Sequence, residues 1–541
     1  MNLEDGSAVL RQALDGLDAQ RLRGMRRGIE KESLRVRPDG QLALTPHPQA
    51  LGSALTHASI TTDFSESQLE LITAAHGSAP EVLQELAQLH RFTYQSLAEQ
   101  GDEMLWVSSM PCTLPTDETI PIARYGSSNV GRAKSVYRMG LSHRYGRRMQ
   151  TISGIHYNWS LPGVSSEQYF ALIRNFRRHA FLLLYLFGAS PAVCSSFVAG
   201  RTHELERLSG STMYMPHGTS LRMGRLGYQS DAQATLAVSY NSLEGYAASL
   251  HDALTRPYGP YEAVGLRNPG GDYNQLATTL LQIENEFYGT IRPKRTIFAG
   301  ERPLHALRER GVEYVEVRLM DLDPFEPLGI AASTMRFLDV FLLHCLLSPS
   351  APDSPQEIAA LARNQHRVAA RGREPKLLLE REGAQLGLLD WGLELLAGCE
   401  PIAQRLDEDL RGTPLEGAHT QALQRAHTAL HEPQGLPSAR VLQVLDQDFD
   451  RSFIAFARSR SEHTRRHFMA QPLTAQERDR LRALSADSVR EQQRIESLDS
   501  LPFEMYRQQY TSPERLGRAG VGAVWAGHVA WPFSGSRGIC T

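Results

Sequence analysis

Two stretches far apart in the chain share one arrangement: Gly28-Ile29-Glu30-Lys31-Glu32-Ser33-Leu34-Arg35-Val36 and Val312-Glu313-Tyr314-Val315-Glu316-Val317-Arg318. Side chains alternate across a strand, so residues i and i+2 share a face. Each stretch therefore reads as a strand with charge on one side and apolar groups on the other. Glu30 and Glu32 share the charged face of the first, Glu316 and Arg318 that of the second. Carboxylates and an arginine converging on one sheet face are too costly to be idle packing. They predict a site that holds cations and anions together, and a magnesium nucleotide is the commonest such ligand. Strands this distant, with helical segments between them, also argue against a regular βαβ series. They predict an α+β protein with a mostly antiparallel sheet.

The remaining strand-like segments are 68–73, 151–161 and 278–288, with a turn at Pro38-Asp39-Gly40 after the first strand. Apolar spacing predicts helices over 6–24, 80–99 and 166–187. From about residue 355 the chain becomes helical and polar, as in Glu477 to Leu498, a layer against the sheet with little chemistry of its own. Gly517 to Thr541 is rich in Gly, Ala and Trp and poor in charge, which reads as a loosely packed tail.

With 541 residues, 41% of them hydrophobic, and a formal charge of −3, the chain has ample material for a globular core. It lacks the basic excess of a nucleic-acid binder. Five widely spaced cysteines without a Cys-x-x-Cys pair predict no disulfide framework and a reducing cytosol. The N-terminus does not read as a signal peptide. No apolar run is long and uncharged enough for a membrane span.

Beyond Glu30, Glu32 and Glu316, the segment 61–73 offers Asp63 and Glu70, with Gln68, Glu70 and Ile72 on one strand face. These are hard oxygen ligands of the kind magnesium takes, although any one of them alone reads more simply as a surface ion pair. In 150–160, alternation puts Ile152, Gly154, His156, Asn158 and Ser160 on one face, suited to a pocket wall. The segment 280–288 lines up Gln282, Glu284, Glu286 and Tyr288 and runs into the basic cluster Arg292-Pro293-Lys294-Arg295. A solvated edge strand accounts for it equally well. Arg138, Arg222 and Arg318 are candidate anion clamps. Gly126 to Ala133 resembles a P-loop opening but lacks the Lys-Ser/Thr pair, and no Gly-x-Ser-x-Gly elbow occurs. A nucleotide would therefore be held by magnesium and side chains on a sheet.

Taken together, Gly28 to Val36, Leu51 to Thr56, Ile60 to Phe64, Tyr125 to Gly131, Arg144 to Gly146, Met149 to Ser160, Leu186 to Ser196, Gln282 to Arg295 and Glu313 to Arg318 resemble the glutamate–cysteine ligase family of gamma-proteobacterial type. The resemblance implies a glutamine-synthetase-like fold, α+β, with a curved antiparallel funnel surrounded by helices. It implies a catalytic domain over 1–510, site-forming in about 25–330 and helical in about 331–510, followed by a tail over 511–541. It implies ATP-dependent ligation of the glutamate γ-carboxylate to the cysteine amine through γ-glutamyl phosphate. On this resemblance, Glu30, Glu32, Asp63, Glu70, His156 and Glu316 are magnesium ligands, with manganese an alternative metal. Tyr137, Arg138, Gln150, Ile152, Asn158, Arg222, Tyr228 and Tyr288 line the amino-acid pockets. Arg318, with Glu316, is catalytic beside the transferred phosphoryl group. The implied partners are L-glutamate, L-cysteine and ATP, with glutathione a candidate feedback inhibitor and a monomer one option for assembly. Neither nucleic acid nor membrane is expected. Glu284 and Glu286 receive no role. A ligase for another amine, or a nucleotide-binding regulator without turnover, are the alternative readings.

Overall fold

The computed structural model describes residues 3–99, 101–227, 231–233, 236–298 and 300–517. Its strands, in chain order, are β1 (Arg26–Val36), β2 (Ile60–Thr62), β3 (Gln68–Ile72), β4 (Met104–Leu105), β5 (Ile155–Ser160), β6 (Ala192–Cys194), β7 (Glu206–Ser209), β8 (Thr212–Tyr214), β9 (Ile291–Lys294), β10 (Tyr314–Met320), β11 (Leu378–Arg381) and β12 (Ala384–Gly387). The main sheet runs β2-β3-β1-β5-β10-β9, with β4 pairing β1 at its end. Every pairing in it is antiparallel. The α+β architecture and the strands at 26–36, 68–72 and 314–320 match the expectation from alternation.

The apolar faces of these strands turn inward. Ile29, Ile155, Tyr157, Trp159, Val315 and Val317 are all at most 1% exposed, and burying each such side chain contributes about 1.5–3 kcal/mol. Helices Ala79–Ala98, Ser166–Phe187 and Ala332–Leu347 form the cover: the first packs on β1 and β3, the second on β9 and β10. The third is tied to the sheet through Asp339, which accepts from Tyr157 Oη at 2.8 Å and pairs with Arg27 Nε at 3.0 Å. Ser165 opens the helix 166–187 with a capping box completed by Gln168, satisfying backbone donors that the first turn leaves unpaired.

That back face corrects the simple division of β1 into charged and apolar sides. Arg27, Lys31 and Arg35 lie among its aliphatic residues, all buried. Among the described residues Lys31 has no carboxylate partner there. Its Nζ meets Ser33 Oγ at 3.0 Å and His90 Nε2 at 2.9 Å, and burial lowers its pKa to about 7.

Four further expectations are corrected. The helix over 6–24 is two helices, Leu3–Asp15 and Ala19–Arg23, the second capped by Asp18. The strand over 151–161 begins only at Ile155. The segment 278–288 is no strand: it runs through loop into a short 3-10 helix, Glu284–Glu286. Cys112 and Cys194, 82 residues apart, form a disulfide with Cα atoms at 5.0 Å, where no bridge was expected. Cys345 and Cys399 are free and buried.

From Pro355 to Thr511 the described chain is helical apart from the β11–β12 hairpin. Helix Phe503–Thr511 and a 3-10 turn, Pro513–Leu516, close it, with Leu516 buried. Residues 518–541 of the expected tail lie outside the described residues. No helix among the described residues is long and apolar enough to cross a membrane.

Candidate active site

The register of the main sheet assembles the site. Glu32 faces Glu70 across β1–β3 and Glu30 faces His156 across β1–β5. Asn158 faces Glu316 across β5–β10. Four strands from distant parts of the chain thus bring Glu30, Glu32, Glu70, His156, Asn158, Glu316 and Arg318 onto one face, away from the helices that cover the back.

His156 stands at its centre. Its Nδ1 lies 3.1 Å from Glu30 and 4.0 Å from Glu316, and its Nε2 lies 3.7 Å from Glu32. Burial, and then the charge of Arg318, hold His156 below its usual pKa despite these carboxylates. Asn158 Nδ2 donates to Glu30 at 3.0 Å. The Gly154 N–H donates to Glu32 Oε2 at 2.8 Å.

The carboxylates split into two electrostatic classes. Burial pushes Glu32 up to about 8, with Asp63 adding to the rise against Arg222 and Arg318. Burial and the charges of Glu30, Asp63 and Glu32 raise Glu70 well above the carboxylate range. At Glu316 burial acts the same way but is outweighed by Lys294 at 3.1 Å and Arg318 at 2.8 Å, so its pKa falls well below the usual range. On the Glu32–Glu70 side burial outweighs the nearby arginines, whereas at Glu316 directly paired cations outweigh burial.

The donor set fits a hard divalent cation. Glu30, Glu70 and His156 each offer a ligand atom, all within 4.8 Å of one another, and His156 Nε2 is buried without a hydrogen-bond partner among the described residues. Carboxylates raised in pKa by like charges are groups that a bound cation would let ionise.

Residues flanking the face make a wall. Asp63 follows β2, and its backbone carbonyl accepts from Arg138 Nε and from Tyr125 Oη. Arg138 lies on helix Asn129–Tyr145, its guanidinium 4.6 Å from the Tyr125 ring. Tyr137 precedes it. Gln150 Nε2 donates to Tyr288 Oη at 2.8 Å. Ile152 is buried, its carbonyl taken by Gln68 Nε2 at 3.0 Å. Arg222 is wholly buried and donates to the Arg318 carbonyl at 2.8 Å. It lies so close to Gly154 that a Cβ there would overlap the guanidinium, which explains the glycine. Tyr228 lies outside the described residues.

The set in 282–288 divides. Glu284 turns away to Arg302, at 2.6 Å, and Glu286 turns to Arg144, at 2.8 Å. Only Tyr288 keeps a place by Gln150. Alternation singles out neither Lys294 nor Arg292, two members of the basic cluster, the latter buried near Arg318 and Glu316. Both occupy β9, whose pairing with β10 puts Arg292 opposite Glu316. The basic run before a second acidic strand was the available signal.

The glutamate–cysteine ligase family model matches residues 12–164 and 163–368. A glutamate–cysteine ligase from Janthinobacterium is 48% identical over 528 residues, covering 94% of this chain and 98% of the relative. That from Alcanivorax borkumensis is 45% identical over 514 residues, covering 91% and 96%. Among solved structures, glutamate–cysteine ligase from Francisella tularensis in complex with AMP superposes with a TM-score of 0.85 at 37% identity, over 90% of this chain and 97% of that one. A bifunctional glutathione synthetase from Pasteurella multocida shares the fold, with a TM-score of 0.65 at 24% identity over 86% of this chain and 55% of that one. With a matching family model over most of its first 370 residues and relatives aligned nearly end to end, this chain belongs to the glutamate–cysteine ligase family.

Proposed function

We propose that this chain joins the γ-carboxylate of L-glutamate to the amine of L-cysteine at the expense of ATP, the first step of glutathione synthesis. The observation that carries it is the sheet face itself, with Glu30, Glu32, Glu70, His156 and Glu316 converging beside Arg318 in a chain whose relatives carry this activity in their names. A carboxylate is a poor electrophile and must be activated. A γ-carboxylate oxygen attacks the γ-phosphorus of ATP, the bond to the bridging oxygen breaks, and ADP leaves γ-glutamyl phosphate. The cysteine amine then attacks the acyl carbon, the C–O bond to phosphorus breaks, and phosphate departs while the amine sheds a proton.

Arg318 is the group we assign to the charge spread over the transferred phosphoryl oxygens, held toward the face by Glu316. Glu30, Glu32, Asp63, Glu70, His156 and Glu316 would hold magnesium, or manganese, which when bound supplies charge neutralisation at the phosphate oxygens. Tyr137, Arg138, Gln150, Ile152, Asn158, Arg222, Tyr228 and Tyr288 would line the amino-acid pockets. Arg222 would supply a buried fixed cation and Gln150 would orient the Tyr288 hydroxyl.

The same reading extends to a glutamine-synthetase-type funnel, supported by the antiparallel order of the main sheet with its chemistry on one face. It extends to a catalytic domain over 1–510 with a separate tail, to a monomer, to feedback by glutathione, and to the cytoplasm, where ATP and free thiol are supplied. A coupled ADP assay with glutamate, cysteine and magnesium each omitted in turn tests the function. ADP release should need all three. Release undiminished without cysteine would overturn the choice of amine.

A further inference from the structure

Glu286 is only 1% exposed, and its carboxylate bonds to groups behind the wall. All its acceptor capacity is used. Oε1 accepts from Arg144 Nη1 at 2.8 Å and from Tyr145 Oη at 2.7 Å. Oε2 accepts from the Gln282 backbone N–H at 2.8 Å and from Gln282 Nε2 at 3.1 Å. A carboxylate has about four such sites. The side chains of Arg144 and Glu286 are both 0% exposed.

Buried ion pairs are poor devices for stability, since packed apolar groups often serve as well. The contacts of this one lead to Tyr288. Tyr145, whose hydroxyl is held by Glu286, sets its ring edge-on to Tyr288, with centroids 5.5 Å apart at 74°. Burial, and then the Glu286 charge, raise the Tyr145 pKa, so its hydroxyl remains a donor. Gln233 closes the other side. Its Nε2 donates to the Glu286 carbonyl at 2.9 Å and to Tyr145 Oη at 3.1 Å, while its Oε1 accepts from the Tyr288 N–H at 3.1 Å. From the same hub, Gln282 Nε2 donates to the Tyr137 carbonyl at 3.2 Å. Gln282 fits there because Gly140 has no Cβ to collide with its amide.

We propose that Glu286 is a positioning residue which, through Tyr145, Gln233 and Gln282, holds Tyr288 and the Tyr137 turn in the geometry that receives one amino-acid substrate. This deepens the function proposed above and rests on its assignment of Tyr288 to an amino-acid pocket. The ion pair fixes the anchor point, and the two tyrosine rings carry it to the pocket.

The test compares Glu286→Gln, Tyr288→Phe and the double variant by steady-state kinetics in each substrate. Glu284→Gln serves as control, since it loses a comparable buried pair to Arg302 on the far side. Glu286→Gln is expected to raise KM for one amino acid by about tenfold or more, the same one that Tyr288→Phe affects, with KM for ATP unchanged. In the Tyr288→Phe background it should add little. Glu284→Gln should lower Tm without this KM change. If Glu286→Gln does not fold, Tyr145→Phe carries the test, because it deletes only the hydroxyl between the carboxylate and the Tyr288 ring. The proposal is overturned if Tyr288→Phe raises an amino-acid KM and Glu286→Gln or Tyr145→Phe does not, or if their effects multiply in the double variant. If Tyr288→Phe leaves both amino-acid KM values unchanged, the pocket assignment falls and the proposal with it.

Discussion

Glu32 and Glu70 stand directly opposite one another across the β1–β3 pair, two carboxylates on the same face whose burial outweighs the arginines near them. Like charges in cross-strand register destabilise a sheet by up to about 1 kcal/mol, and burial adds to the cost by raising both pKa values. A sequence selected for stability alone would not keep this pair.

Glu70→Gln should therefore stabilise the protein in metal-free buffer, by about 0.5–1 kcal/mol in urea denaturation, while abolishing most activity. Added magnesium should reverse the order. A cation at a hundred times its Kd stabilises the native state by about 2.7 kcal/mol, and the variant should gain much less than the parent chain. Equal magnesium stabilisation in both would remove Glu70 from the ligand set.

Gly154→Ala tests the close approach of backbone to Arg222. An added Cβ would overlap the guanidinium, forcing Arg222 away from the Arg318 carbonyl and disturbing the Gly154 N–H that Glu32 accepts. Overpacking of this kind costs about 1–3 kcal/mol, which expressed at the transition state is a loss of about ten- to a hundredfold in kcat. The fold should survive, as judged by circular dichroism. Unchanged kcat would show that Arg222 has no part in the chemistry.

How much of this was legible in the sequence follows from the range of each interaction. The acidic face of β1 and the faces of β3, β5 and β10 were legible because alternation is local and large apolar groups mark the buried side. Their meeting in one sheet was not, since the register Glu30–His156 or Asn158–Glu316 depends on partners over a hundred residues away; family resemblance supplied what alternation lacked. The segment 282–288 shows the opposite failure. Its period-two pattern was real, yet Arg302 and Arg144 pull Glu284 and Glu286 in different directions, and neither arginine is local. Likewise the break at Gly16–Asp18 was marked by an Asp cap that apolar periodicity alone passes over.

A pH dependence of stability should come from His57, which precedes β2. Burial lowers its pKa from 6.5 to about 4, and its Nδ1 accepts from the Ser59 and Ile60 N–H groups at 3.0 and 2.9 Å. Above pH 6.5 neither the folded nor the unfolded chain protonates it, and its contribution is complete. Between 6.5 and 4 the unfolded chain takes up the proton first, so stability falls as pH falls. The loss approaches about 3 kcal/mol. His57→Asn keeps an acceptor for the two N–H groups but does not titrate. Its urea-unfolding free energy should therefore decline less between pH 7 and pH 4.5, and an unchanged slope would assign the acid lability elsewhere.

Activation of a carboxylate by phosphoryl transfer on this sheet face can be followed through the oxygen atoms of glutamate. With the γ-carboxylate labelled with oxygen-18, one labelled oxygen should appear in the phosphate released at each turnover, alongside ADP. Unlabelled phosphate, or release of AMP with pyrophosphate, would rule out γ-glutamyl phosphate as the intermediate.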